Sequence, residues 1–313
     1  MANNRLIIDG TDAQTAYGVM VVEDGLNNLL AWPASKAVDT ASWAEHDYIE
    51  ADLSDLKLSG REVSVSLAMK GHMTDVEAFC SFLSGSIYRT WNMASIGRSI
   101  RTRYIGAQSL EAYATHQFFG VDLAVDTPLE GYTYSSPVSA INSVNEYSLD
   151  GRLLTDYGVR VLYGTLDSTA KPGSVKERLK RDISVLNGVL YDGAATNKKA
   201  TYDITLRCGL IDTSFSGLWR NYDALLYDLT RKNEDVAYDT DKCKRAIHSF
   251  RLNHDFECYY KSQSVREFWP DGSRIWLLFD VTLGVVGDMY VPNYLATEAG
   301  EWVKTENGLK IRI

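Results

Sequence analysis

The residues best suited to chemistry fall in three places. Cys243, His248, His254 and Cys258 are zinc-binding residue types lying 5, 6 and 4 positions apart. On a strand, however, His248 and His254 share a face with Cys258 while Cys243 points the other way, and the spacing matches no common zinc module. They are expected to be ordinary core and surface residues, with no metal bound. A second group, Asp39, Glu45, Asp47, Glu50, Asp52 and Asp55, has the carboxylates for a general acid and base. A solvated acidic loop is the plainer expectation for so polar a stretch. Asp212-Thr213-Ser214 has no glycine after the threonine and reads as a turn ahead of a helix. Glycine-rich phosphate loops, nucleophile elbows, H-E-x-x-H and C-x-x-C do not occur in the sequence. The chain is therefore expected to carry no catalytic residue, metal or cofactor.

The elements that would position any site come from the rest of the chain. At roughly 150 residues per domain, 313 residues suggest two domains. With 7 Trp, 19 Tyr and 9 Phe, the chain favours sheet surfaces and protein contacts. A net charge of −9 argues against general nucleic-acid binding, which needs clustered Lys and Arg, and would let a polyanion slide past. Leu6-Ile7-Ile8 is too short for a secretory core, and Ile275–Phe279 is stopped by Asp280, so no membrane contact is expected. The four cysteines have no framework spacing and read as reduced thiols in a cytoplasmic product.

Comparing the chain with itself gives the clearest signal. Asp9-Gly10 and then Tyr17-Gly18-Val19 recur as Asp150-Gly151 and Tyr157-Gly158-Val159. An alternating strand follows each, Val63–Met69 and Tyr202–Cys208. A helical pattern comes next, Thr74–Leu83 with a Thr74–Glu77 capping box, then Ser216–Leu229 with its apolar residues on one stripe. Further strands are expected at Ser99–Ile105 and Phe118–Val125, and at Ile247–Asn253 and Ile275–Val285. The pattern reads as a diverged tandem duplication, against the alternative of two unrelated α+β domains that share ordinary turn chemistry. The fold expected is mainly β (α+β), two tandem β-sandwich or barrel domains, each with one flanking helix. Domain 1 would be residues 1–127, the linker 128–146, domain 2 residues 147–291, and 292–313 a C-terminal arm.

Two segments have the composition of interfaces. Ile87–Arg103 carries Arg89, Arg98, Arg101 and Arg103 with Trp91 and no acidic residue, while residues 1–60 are acidic. Such a hairpin suits head-to-tail contact between identical subunits, or else its arginines pair within the chain. In the second half the matching loop, Thr165–Asp182, carries Lys176, Arg178 and Arg181, with Lys176–Arg181 a candidate short helix. A neighbouring subunit is the expected partner rather than nucleic acid.

This order of elements resembles the tail-tube fold of tailed bacteriophages, especially distal tail (Dit-like) and baseplate-hub proteins. The resemblance rests on the repeated Asp-Gly, Tyr-Gly-Val, strand, helix and strand pattern over residues 5–126 and 147–286. It implies six domains around a channel through which DNA passes, as a hexamer or as a trimer with a pseudo-sixfold ring. The partners implied are a tail tube protein and tail-tip or spike proteins, and the location is the virion tail, after synthesis in the host cytoplasm. The competing expectations are a carbohydrate- or protein-binding β-sandwich module, with Tyr and Trp as its stacking platform, and an enzyme with a dispersed carboxylate site.

Overall fold

The computed structural model describes residues 5–22, 25–113, 115–139, 146–171, 173–177, 180–191, 197–232, 242–271 and 273–288. The expected arm at 292–313 and Arg178 lie outside them. The fold is mainly β, with two seven-stranded sheets and one principal helix in each half. The first sheet comprises β1 (Leu6–Ile8), β2 (Thr11–Asp12), β3 (Val19–Val21), β4 (Arg61–Lys70), β5 (Arg89–Met93), β6 (Arg98–Ala112) and β7 (His116–Val125). The second comprises β8 (Tyr147–Leu149), β9 (Arg152–Leu153), β10 (Val159–Val161), β11 (Tyr202–Asp212), β12 (Arg245–Ser249), β13 (His254–Asp271) and β14 (Arg274–Asp288). Their strand orders are β2-β1-β5-β6-β7-β4-β3 and β9-β8-β12-β13-β14-β11-β10. Each strand of the second sheet thus occupies the place of the strand numbered seven lower.

Local chemistry explains why the halves match. Asp9-Gly10 and Asp150-Gly151 close two-residue hairpins with φ of 49° and 84°, and of 48° and 82°. A type I′ turn needs both central residues at positive φ, which favours Asp followed by Gly. Gly18 and Gly158 sit at φ 70° and 69°, where a Cβ would meet the carbonyl oxygen of Lys70 at 2.9 Å or of Ile211 at 3.0 Å. In β4 the alternation directs Val63, Val65, Leu67 and Met69 inward. Both long strand pairs are bulged at matching places, between Tyr104 and Gly106 and between Tyr260 and Ser262.

Several expectations are corrected. The first helix, α1, spans Met73–Ser84, and its capping box lies two residues earlier than Thr74–Glu77: the Asp75 carboxylate accepts from the His72 backbone N–H at 2.7 Å. The second, α2, spans Phe215–Thr230, capped by Ser214 accepting from Gly217 N at 3.1 Å. The strand expected over Ile247–Asn253 stops at Ser249, because Asn253 takes a positive φ of 46° in the turn to β13. No helix forms over Lys176–Arg181 among the described residues. Lys180–Asp182 is instead a strand paired with Val189–Tyr191. No helix of the described residues is long and apolar enough to cross a membrane.

The two halves bury their helices differently. In α1 only the stripe Val76, Phe79 and Leu83 is buried. In α2 eleven of sixteen residues are buried, since three other elements wrap it besides its own sheet. The segment 26–35 lays Trp32 on Tyr222 at 4.5 Å between ring centroids, with Tyr260 and Phe279 at 6.3 and 5.5 Å. The turn between β5 and β6 accepts the Trp219 indole N–H at the Ile96 carbonyl, 2.6 Å away. Residues 128–139, the described start of the expected linker at 128–146, run over the same helix: Val138 N donates to Asn221 Oδ1 at 2.9 Å and Tyr134 Oη to Asp228 Oδ2 at 3.1 Å.

Candidate interaction surfaces

The arginine hairpin is built by β5, β6 and their turn, and its cations have partners in the chain. Arg89 binds Asp9 Oδ2 at 2.9 Å, lies over the Phe82 ring, and donates to the carbonyls of Phe82 and Leu83 at the end of α1. It ties the Asp-Gly turn to the helix C-terminus, where a cation offsets the helix dipole. Arg245 does the same in the second half, binding Asp150 Oδ2 at 2.7 Å and the Arg231 carbonyl that follows α2. In both turns the other aspartate oxygen accepts a backbone N–H at 2.8 Å, from Thr90 or from Ala246. For Asp9, burial acts upward, but the bonds from Thr90 and Arg89 outweigh it and hold the carboxyl below its ordinary range. For Asp150, burial prevails over Arg245 and raises it.

The remaining members of the set are equally committed. Arg98 makes a bidentate pair with Asp223 of α2, with its guanidinium carbon 5.0 Å from the Trp219 ring centroid. Burial would lower its pKa, but Asp223 more than compensates and raises it. Arg101 pairs with Glu130 at 2.7 Å and covers the Tyr88 ring, while Arg103 grips Asp126 with bonds of 2.7 and 3.0 Å. All four arginines have an acidic partner within the chain. Trp91 is fully buried under β5, so it belongs to the core of its own sheet rather than to a surface. Lys176 donates to the Trp43 carbonyl at 2.8 Å, and Arg181 is exposed.

The residues weighed for chemistry are placed structurally. The Cys243 sulfur accepts from Leu56 N at 3.2 Å, and His248 pairs with Asp255 at 3.0 Å. Burial pushes the Cys258 thiol far up. Among the described residues no three such side chains converge on one point. Asp47 and Asp52 are held below the carboxylate range by hydrogen bonds, Asp47 by the Lys199 backbone N–H of the second half and Asp52 by Ser54 in its own turn. Asp212 accepts from Thr213 N and Ser214 N at 2.7 and 2.9 Å, a turn ahead of α2. A cavity of about 480 Å³ lies where the halves meet, between Trp32, Ile100, Arg98 and Tyr132. Arg61 borders it, donating to the carbonyls of Asn28 and Leu29, and burial draws its pKa down to about 10.

Sequence reasoning passed over one exposed apolar surface among the described residues. In the hairpin of residues 180–191, Val185, Leu186, Leu190 and Tyr191 are exposed by 85%, 50%, 54% and 60%. The signal was present as Asn187-Gly188 between apolar runs, a strong hairpin marker.

The contacts between halves also show one segment serving both. Gln263 on β13 accepts from Trp32 N at 2.6 Å and donates to Tyr222 Oη at 2.9 Å, while Tyr222 Oη donates to the Leu30 carbonyl at 3.0 Å. Tyr260 Oη donates to the Pro33 carbonyl at 2.7 Å, and Ser35 N donates to the carbonyl of Lys261, the residue bulged out of β13, at 2.8 Å.

No protein-family model matches the chain, and no curated protein matches it. Among solved structures it is similar to the SPP1 Dit (gp 19.1) protein, described as a paradigm of the hub adsorption apparatus in phages infecting Gram-positive bacteria. That likeness has a TM-score of 0.29 at 10% identity and covers 90% of this chain and 98% of that one.

Proposed function

We propose that this protein is a structural ring component of a phage or phage-like tail tip or baseplate, surrounding a DNA channel and joining the tail tube to the tip or spike. The observation that carries the reading is the pair of sheets with one strand order, matched down to their Asp-Gly turns and Arg clasps. Two such units joined head to tail along one chain form an arc that further copies extend, and a heterologous contact closes when its rotation divides the circle. On this reading domain 1 is residues 1–127 and domain 2 residues 147–291. Three chains would give a pseudo-sixfold ring, and six a ring lined by one domain each. A net charge of −9 suits a lumen that repels DNA phosphates while DNA slides. The chain acts by assembly, without a cofactor and without enzymatic chemistry.

The experiment is light scattering of the purified protein together with negative-stain imaging. A trimer or hexamer with a central hole is expected. A compact, unringed particle that binds a glycan would instead favour the carbohydrate-binding alternative.

A further inference from the structure

The segment between β3 and β4 is itself repeated between β10 and β11. An isolated bridge, Ser35 with Leu58, recurs as Val175 with Lys199. Lys36 N donates to Lys57 O and Ser59 N to Ala34 O, and correspondingly Lys176 N donates to Lys198 O and Ala200 N to Ser174 O. The hairpin pairs Thr40 with Ala51 and Ala41 with Glu50; its counterpart pairs Lys180 with Tyr191 and Arg181 with Leu190.

The two segments differ in what they cover. The first stays tied to β4 through Arg61 and extends over β13 and α2 of the second half, with Ser35 N on the bulged Lys261, while the second meets residues 43–48 of the first through Lys176 and Lys199. At the position of Ser35 the second segment carries Val175, 54% exposed, and its hairpin exposes an apolar flank where the first carries Glu45, His46 and Glu50. The receiving face has an uncovered counterpart too. Ile105, the residue bulged out of β6 at the place of Lys261, is 42% exposed, and the far, turn end of the same hairpin bears the exposed pair Tyr113 and Phe118. Acidic Asp75 and Glu77 lie on the exposed side of α1, opposite in sign to Lys180 and Arg181.

We infer that residues 173–177, 180–191 and 197–200 dock on the first half of a second copy, with Val175 over Ile105, repeating between chains the contact that residues 26–35 make within one. This inference deepens the ring reading and names its interface. The geometry is heterologous, since each chain offers the segment from one half and the face from the other. An apolar hairpin this exposed is the mark of a surface covered in an assembly.

The test uses the full chain. Val175→Glu, Leu190→Glu and Ile105→Glu are each compared with wild type by light scattering from micromolar to millimolar concentration, with thermal unfolding to confirm the fold. Wild type is expected to self-associate, and each variant to weaken association on the order of a hundredfold at unchanged Tm. Mixing Val175→Cys with Ile105→Cys protein is expected to give a disulfide-linked heterodimer that neither forms alone. If wild type closes rings that all three variants also close, the segment is not the interface, although the ring reading stands. If the variants lose association but wild type forms open chains without a central hole, the interface stands and the ring reading falls. Wild type monomeric at every concentration, or a segment that captures a different protein in place of its own copy, overturns the inference.

Discussion

The two halves share a strand order but differ in how they keep their helix. In the first, α1 buries one apolar stripe on its own sheet, keeps Cys80 and Phe82 half-buried, and turns its remaining residues to solvent. In the second, α2 is enclosed by a segment, a turn and a connection that all come from before residue 140. Their clasps differ the same way: the Arg89 side chain is 15% exposed and that of Arg245 only 1%. A repeated unit can thus keep its hydrogen bonds while its dielectric surroundings diverge, and the same residue then carries a different energetic weight.

The largest expected effect breaks the link between the halves. Trp32→Ala removes a buried ring from between Tyr222, Tyr260 and Phe279, and should cost about 3–5 kcal/mol in chemical denaturation. The enclosed α2 should lose hydrogen-exchange protection with it, whereas α1 should keep its own. Protection lost equally from both helices would show the halves to be one cooperative unit.

The clasps sharpen the comparison. Arg245→Ala strands a buried carboxylate at Asp150 and is expected to cost about 3–5 kcal/mol. Arg89→Ala leaves Asp9 within reach of water and should cost about 1–2 kcal/mol. Equal losses in urea unfolding would contradict the difference in burial.

Gly18→Ala and Gly158→Ala should behave alike. Each forces a left-handed residue, at about 1–2 kcal/mol, and brings a Cβ against a backbone carbonyl at nearly the same distance. A clear difference between them would mean that one β3-type strand end yields and the other does not.

The smallest effect concerns pH. Asp9, with its folded pKa depressed below 3.8, gives stability that is complete above the unfolded pKa and lost as pH falls through the folded one. Asp150, raised above 3.8, has the opposite sign: its contribution is present below the unfolded pKa and lost as pH rises through the folded one. Carboxylate chemical shifts over an acid titration should therefore give two midpoints on either side of the ordinary value. Coincident midpoints would refute the contrast.

Much of the frame was legible because it follows from local rules. The alternation of Val63, Val65, Leu67 and Met69, the stripe on α2, and Asp-Gly before Tyr-Gly-Val each speak through neighbours a few positions apart. The length of β13 was not legible, since Lys261-Ser262-Gln263-Ser264 is polar and is held extended by its pairing with β14. Nor could the spacing of Arg98 announce Asp223, 125 positions away. The basic run at 176–181 suggested a helix, yet the strand Val189–Tyr191 takes Lys180–Asp182 as its partner, and pairing overrides local propensity.

The reach of the 26–35 segment has a consequence for how the chain is made. Pro33 meets Tyr260 across 227 positions, so the segment emerges from the ribosome long before its landing surface exists. The first sheet closes using residues 6–125 alone, while Trp32 waits for Tyr222, Tyr260 and Phe279. Contacts so distant in sequence form late and slowly. Synthesis therefore passes through a stage in which a finished N-terminal sheet trails an apolar strap, and closing that strap over β13 and α2 is the last step toward a stable monomer.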